Sequence, residues 1–69
     1  MNRHPVSSTN IASVGYDAQS MTLEIEFSSG TVYQYFDVPE AVHQEFMGSD
    51  SKGQFFASQI KGGYRYGRV

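Results

Sequence analysis

The alternation of apolar and polar residues in residues 21–27, MTLEIEF, constrains the fold of this chain more than any other feature. Every second side chain is apolar, and Thr22, Glu24 and Glu26 lie between them. Successive side chains of a strand point to opposite faces, so this pattern predicts a β-strand with one buried and one solvated face. The strand therefore belongs to a sheet with a core on one side.

The loop at residues 28–30, Ser-Ser-Gly, sets the direction of the side chains in the next strand. Glycine at the third position favours a three-residue hairpin, in which a type I turn is followed by a left-handed residue. That loop places Ile25 opposite Tyr33 and Leu23 opposite Tyr35, so both tyrosines join the apolar face. A two-residue loop would turn them to the glutamate side, because a one-residue slip reverses every side chain.

Residues 11–16 predict a further strand, with Ala12, Val14 and Tyr16 on one face. A helix is predicted over residues 39–47, because Pro39 suits the first helical position and Val42 and Phe46 lie four residues apart.

Ser51 and Gln54 have the spacing of a capping box and predict a second short helix. Phe56 and Ile60 share a face of that helix, and the glycine pair at 62–63 ends it.

These elements predict a single domain over residues 1–69 with an α+β fold. The architecture is a three-stranded antiparallel meander with two short helices packed on one face, and the tail at 61–69 is a candidate short fourth strand. The chain has no cysteine and only two histidines, so neither a disulfide nor a structural zinc site is expected to stabilise it. Stability must come from the five tyrosines and five phenylalanines.

The charge of the chain is unevenly distributed. All seven acidic residues lie before residue 61, whereas the tail at 61–69 has three cations and no acid. Cations neutralise phosphates and tyrosines stack on bases, so this tail predicts a nucleic-acid-binding segment. Its candidate residues are Lys61, Tyr64, Arg65, Tyr66 and Arg68. The alternative interpretation of the tail is a fourth strand or a frayed end.

Two surfaces of the predicted sheet are further candidate sites. Tyr33 and Tyr35 are either an aromatic platform for bases or core residues, and the predicted hairpin favours the core. The opposite face is predicted to carry Ile11, Ser13, Thr22, Glu24, Glu26, Val32, Gln34 and Phe36. On it, Val32, Gln34 and Phe36 form a candidate interaction face for a protein partner or a second copy, unless a terminal segment covers them.

No pattern in the chain predicts catalysis, a metal site or a cofactor. A nucleophile motif is absent, and residues 50–53 lack the glycine spacing of a phosphate loop. His43 is expected at the helix surface, and Glu24 and Glu26 are expected to be solvated. We therefore expect a protein that is not an enzyme.

The order and spacing of several short motifs resemble those of the KTSC domain. They are Ser7-Ser8, Val14-Gly15-Tyr16-Asp17, the strand Leu23 to Phe27, Gly30, Tyr33-Gln34-Tyr35, Val38-Pro39 and Ser51-Lys52-Gly53 followed by two phenylalanines. This module is named after the C-terminus of lysyl-tRNA synthetase, where some copies occur, and other copies are single-domain proteins. The resemblance implies RNA binding as the role suggested for the family. It implies no aminoacylation, because the chain contains no synthetase catalytic domain.

The sequence therefore predicts a small non-catalytic binding module. Its predicted ligand is RNA or another single-stranded nucleic acid, and the alternative is a protein partner or a homodimer formed through the sheet face. The chain has no apolar segment typical of a secretory signal or a membrane span, so a cytoplasmic protein without a membrane partner is expected.

Overall fold

Five antiparallel strands and two short helices form the fold, which the computed structural model describes for residues 1–69. The strands follow one another across the sheet in chain order, as β1 Arg3–Pro5, β2 Ile11–Asp17, β3 Thr22–Phe27, β4 Val32–Tyr35 and β5 Tyr66–Arg68. Between β4 and β5 lie α1 Glu40–Gly48 and α2 Lys52–Phe55, and α2 continues into a π-helical turn, Phe56–Ile60. The α+β class is confirmed, but the sheet has five strands rather than three or four.

The register of the central hairpin is the predicted one. Leu23 pairs with Tyr35 and Ile25 pairs with Tyr33. Gly30 has a φ of +94°, the left-handed conformation that a glycine adopts without steric cost. Both tyrosines therefore lie on the apolar face of the sheet.

Strand β2 contains an irregularity that the prediction missed. Ile11 pairs with Phe27 and Ser13 pairs with Glu26, so Ala12 has no partner on β3. The extra residue returns Ile11 to the apolar face, where its side chain is completely buried. The prediction that Ile11 shares the polar face with Ser13 was wrong, because a strict two-residue period does not allow for a bulge.

The hydrophobic core lies between the apolar face of the sheet and the two helices. It consists of Ile11, Val14, Leu23, Ile25, Tyr35, Val38, Phe46, Phe56 and Ile60. Residues of β2 and β3 are fully buried in it, whereas Tyr66 of β5 remains 62% exposed. Burial therefore decreases toward the β5 edge of the sheet.

The Ser51-Lys52-Gly53 motif has a structural role. The Ser51 side chain caps α2 by accepting a hydrogen bond from a backbone N–H three residues on, and Lys52 Nζ donates to the carbonyl of Ser49 at 2.7 Å. A Cβ on Gly53 would lie 2.9 Å from Asn10 Oδ1. The motif thus joins the two helices and lets the segment before β2 pack against α2.

Strand β1 was not predicted, and it changes the polar face of the sheet. Arg3 lies opposite Gly15 and places its guanidinium 2.6 Å from the Glu24 carboxylate, which also accepts a hydrogen bond of 2.9 Å from Gln34. Glu24 is only 7% exposed, so the expectation that it is solvated was wrong. The bond from Gln34, together with Arg3, holds the pKa of Glu24 below its usual value although burial acts in the opposite direction.

Glu26 takes part in the same network at greater exposure. It accepts a hydrogen bond of 2.8 Å from the Ser13 hydroxyl, and that hydroxyl accepts one of 3.1 Å from Arg3 Nε. Arg3 thus links β1 to both β2 and β3. The polar side chains of this face find most of their hydrogen-bond partners within the chain.

Gly15→Ala is expected to displace β1, because a Cβ at this position would lie 2.7 Å from the backbone oxygen of Asn2 and 3.0 Å from Arg3 Cγ. A backbone oxygen moves only with its strand, so we expect the free energy of unfolding in urea to fall by about 1–3 kcal/mol. Gly48→Ala is the control, since nothing lies within 4 Å of its added Cβ. Unchanged stability of Gly15→Ala would contradict the docking of β1.

Candidate functional site

Three tyrosines form a continuous aromatic surface that runs from the core to the β5 edge. Tyr35 is only 5% exposed and lies opposite Tyr66 in the register, with 5.6 Å between the ring centroids. The Tyr66 ring also meets the half-buried Tyr33 ring edge-on, at 5.9 Å. The predicted core position of Tyr35 is confirmed, and Tyr66 extends the same surface into solvent.

A cleft of about 650 Å³ opens over these rings, and we call it the aromatic cleft. Its floor is formed by Phe27, Tyr33, Tyr35, Phe56 and Tyr66. Five uncharged polar residues, which we call the polar rim, also line it, namely Thr9, Asn10, Ser28, Ser29 and Thr31. Lys61 is the only charged residue in the lining, so the cleft has a positive group and no acidic one.

The π-helical turn positions one side of the cleft. The Lys61 N–H donates to the carbonyl of Phe56, five residues earlier, at 2.8 Å. Phe56 meets Phe27 and Tyr35 edge-on, at centroid distances of 5.3 and 5.6 Å. Such turns are rare and occur frequently at functional sites. Here the turn buries Phe56 against Phe27 and Tyr35 and brings Lys61 to the lining of the cleft.

The Tyr35 phenol is neutral at neutral pH. Burial raises the pKa of Tyr35, and the neighbouring phenols of Tyr33 and Tyr66 act in the same direction. The floor of the cleft therefore adds no negative charge at this position.

The structure divides the predicted nucleic-acid-binding residues between two faces of the sheet. Lys61 and Tyr66 line the aromatic cleft. Arg68 lies opposite Tyr33 in the register, and directly paired residues share a face, so Arg68 is on the cleft side. Tyr64 is half-buried against the core and does not line the cleft.

Arg65 lies away from the cleft. Its guanidinium is 2.8 Å from the Asp37 carboxylate and 5.7 Å from the centroid of the Phe36 ring, which is on the opposite face of the sheet. Both partners of the ion pair are exposed, so the pair contributes little to stability. Lys61 thus lines the cleft, Arg68 lies on the same side of the sheet outside the lining, and Arg65 lies on the opposite side.

The candidate interaction face of Val32, Gln34 and Phe36 is partly covered. Gln34 donates to Glu24, and the Phe36 ring lies 3.8 Å from the position that a Cβ on Gly67 would occupy. Val32 and Phe36 are half-buried rather than exposed. Arg65 and Gly67, which lie in or next to β5, therefore cover part of Phe36.

His43 has a packing role that was not expected. Its ring stacks on Tyr16 at 4.5 Å and an interplanar angle of 8°, and the Tyr16 hydroxyl donates to the carbonyl of Val38. Burial lowers the pKa of His43, so the imidazole is neutral at neutral pH. This pair joins α1 to the sheet and does not line the aromatic cleft.

No helix of the protein combines the length and apolar character needed to cross a bilayer. No three His, Cys, Asp or Glu side chains are grouped so that they could hold a metal ion.

Proteins of similar sequence include both a protein matched over its full length and a larger enzyme. An uncharacterized protein of Stutzerimonas stutzeri is 41% identical over 70 residues, which cover all of this chain and 99% of that protein. The lysine–tRNA ligase of Trichormus variabilis is 47% identical over 51 residues, which are 74% of this chain but 9% of that enzyme. The chain thus spans about a tenth of the ligase.

A solved structure and a family profile agree with these matches. The crystal structure of a KTSC domain protein from Yersinia pestis has a TM-score of 0.97 and 47% sequence identity, and the match covers 99% of this chain and 96% of that one. The profile of the KTSC domain matches residues 7–64. The chain belongs to the KTSC domain family.

Proposed function

We propose that the aromatic cleft binds single-stranded RNA. The observation that carries this proposal is the position of Tyr66, which lies exposed beside Tyr33 and Tyr35 in a cleft where Lys61 is the only charged group. All seven acidic residues of the chain lie outside the lining, although the net charge is −2. The cleft is thus suited to an anionic ligand on an otherwise acidic protein.

The two parts of a nucleotide match two parts of the cleft. Bases stack on exposed aromatic rings, and Tyr66 offers such a ring in the lining of the cleft. Lys61 is exposed and makes no side-chain hydrogen bond or ion pair within the chain, so its ammonium group is free to contact a phosphate. Arg68, on the cleft side of β5, supplies a second cation.

The family context supports RNA as the nucleic acid. A related segment forms part of lysine–tRNA ligases, enzymes whose name specifies a tRNA substrate. In such an enzyme, an RNA-binding segment would contact the tRNA. For the present chain we propose binding without catalysis, since the lining of the cleft has no carboxylate, imidazole or thiol.

A protein partner at the opposite sheet face has less support. Gln34 is engaged by Glu24, and Phe36 lies under Arg65 and against β5. This leaves a small apolar area for a partner or a second copy.

The salt dependence of binding tests the electrostatic part of the proposal. Binding of a fluorescent oligouridylate, measured by anisotropy, is expected to show a log–log salt slope of about −1.4 for two phosphates, at about −0.7 each. Lys61→Ala and Arg68→Ala should each remove about 0.7 from that slope. Arg65→Ala is the matched control, because Arg65 pairs with Asp37 on the other face.

Two results would overturn this assignment. One is an absence of binding by the intact protein at low salt. The other is a reduction of the salt slope in Arg65→Ala equal to that in Lys61→Ala. That result would place the ligand on the opposite side of the sheet.

A further inference from the structure

The polar rim of the cleft is an ordered wall built from two distant segments. The Ser28 N–H donates to the carbonyl of Asn10 at 2.9 Å, and the Ser28 hydroxyl donates to the carbonyl of Thr9 at 3.3 Å. The Ser8 hydroxyl accepts from the N–H of Ile11 at 3.3 Å. These bonds hold residues 8–10 against the β3–β4 loop along one side of the aromatic cleft.

Asn10 lies in this wall beside Gly53 of α2. Its Oδ1 accepts hydrogen bonds from the hydroxyls of Ser8 at 3.3 Å and Thr9 at 3.5 Å, and the absence of a side chain on Gly53 makes room for it. Its Nδ2 makes no hydrogen bond within the chain, and the residue is exposed and lines the cleft. Because the hydroxyls of Ser8 and Thr9 lie at Oδ1, the amide has two N–H donors left for a ligand.

The chemistry of the rim fits a neutral group of the ligand rather than a phosphate. The rim has no charge, and the phosphate-binding cations are Lys61 and Arg68. In a nucleotide the ribose connects the base to the phosphate, and the polar rim lines the same cleft as the aromatic rings on which the base would stack. The ribose 2′-hydroxyl both donates and accepts hydrogen bonds, and it is the group by which proteins distinguish RNA from DNA.

We infer that the polar rim selects RNA over DNA, and that Asn10 is the residue that determines this specificity by donating from Nδ2 to the ribose 2′-oxygen. The inference rests on the proposed RNA-binding function of the cleft. It adds that the rim recognises the ribose of the ligand.

Oligouridylate and oligodeoxyuridylate of equal length provide the test, because they share the base and differ only at the 2′ position. The intact protein should bind the RNA roughly 3- to 10-fold more tightly, the range for one hydrogen bond. Asn10→Ala should abolish the preference, so that the RNA and the DNA bind with equal affinity. The thermal unfolding midpoint of Asn10→Ala shows whether the variant remains folded.

The outcomes separate this inference from the proposed function. Equal binding of both oligomers by the intact protein overturns the 2′-hydroxyl inference, whatever the Asn10 variant shows. The cleft then remains the proposed binding site. Binding of neither oligomer overturns the proposed function itself. An RNA preference that persists in folded Asn10→Ala overturns the role of Asn10. Uridine and cytidine oligomers test the remaining alternative. A preference for one base over the other would assign the rim to recognition of the base instead of the ribose.

Discussion

Tyr35→Ala is expected to lower the free energy of unfolding by about 3–5 kcal/mol, the usual cost of removing a large core aromatic. The Tyr35 ring is 5% exposed and packs against Phe56 and Tyr66, each at 5.6 Å between centroids. The core of a domain this small supplies roughly 3–5 kcal/mol of net stability in total. The variant should therefore be largely unfolded at 25 °C without denaturant, as measured by far-ultraviolet circular dichroism.

Tyr35→Phe is the matched control. It keeps the ring and removes a hydroxyl that makes no hydrogen bond within the chain, so its stability should change by less than about 1 kcal/mol. A folded Tyr35→Ala protein with a loss as small as that of the phenylalanine variant would show that this tyrosine does not anchor the core.

Tyr66→Ala is expected to weaken RNA binding by about 1–3 kcal/mol, roughly 5- to 150-fold in Kd, the range for one base stacked on an aromatic ring. Tyr66 is 62% exposed and its backbone forms β5, so the variant is expected to stay folded. Titration of oligouridylate at low salt measures the loss.

Tyr66→Phe distinguishes stacking from other causes, because it retains the ring and loses only the hydroxyl. It should bind RNA nearly as well as the intact protein. Equal losses in the phenylalanine and alanine variants would assign the contribution to the hydroxyl, and no loss in either would remove Tyr66 from the site.

The central hairpin was predictable because local features determine it. The alternation of residues 21–27 indicates which side chains are buried, and a glycine at the third loop position selects the turn. Together they place Tyr33 and Tyr35 opposite Ile25 and Leu23, as found. The cap at Ser51 was predictable for the same reason, since it depends on residues three positions apart.

Strand β1, the bulge at Ala12 and the cleft depend on contacts between distant segments. Residues 3–5, Arg-His-Pro, have no alternating pattern. Arg3 attaches this strand to the sheet through its ion pair with Glu24. The polar rim combines residues 9–10 with residues 28–31, and both runs look like ordinary turn sequences. The tail is aromatic and basic by composition. Only the register of β5 shows that Tyr66 and Arg68 lie on the cleft side of the sheet, whereas Arg65 contacts Phe36 on the opposite face.

Titration of isotope-labelled protein with oligouridylate, followed by backbone amide shifts, tests the proposed binding of RNA to the aromatic cleft most directly. The largest shifts are expected in the loop at residues 28–31, at Asn10, at Lys61 and in β5, which surround the aromatic cleft. Residues of α1 and the amides near Glu24 should remain unchanged. Shifts confined to α1 or to the opposite sheet face, or no shifts at low salt, would contradict the account.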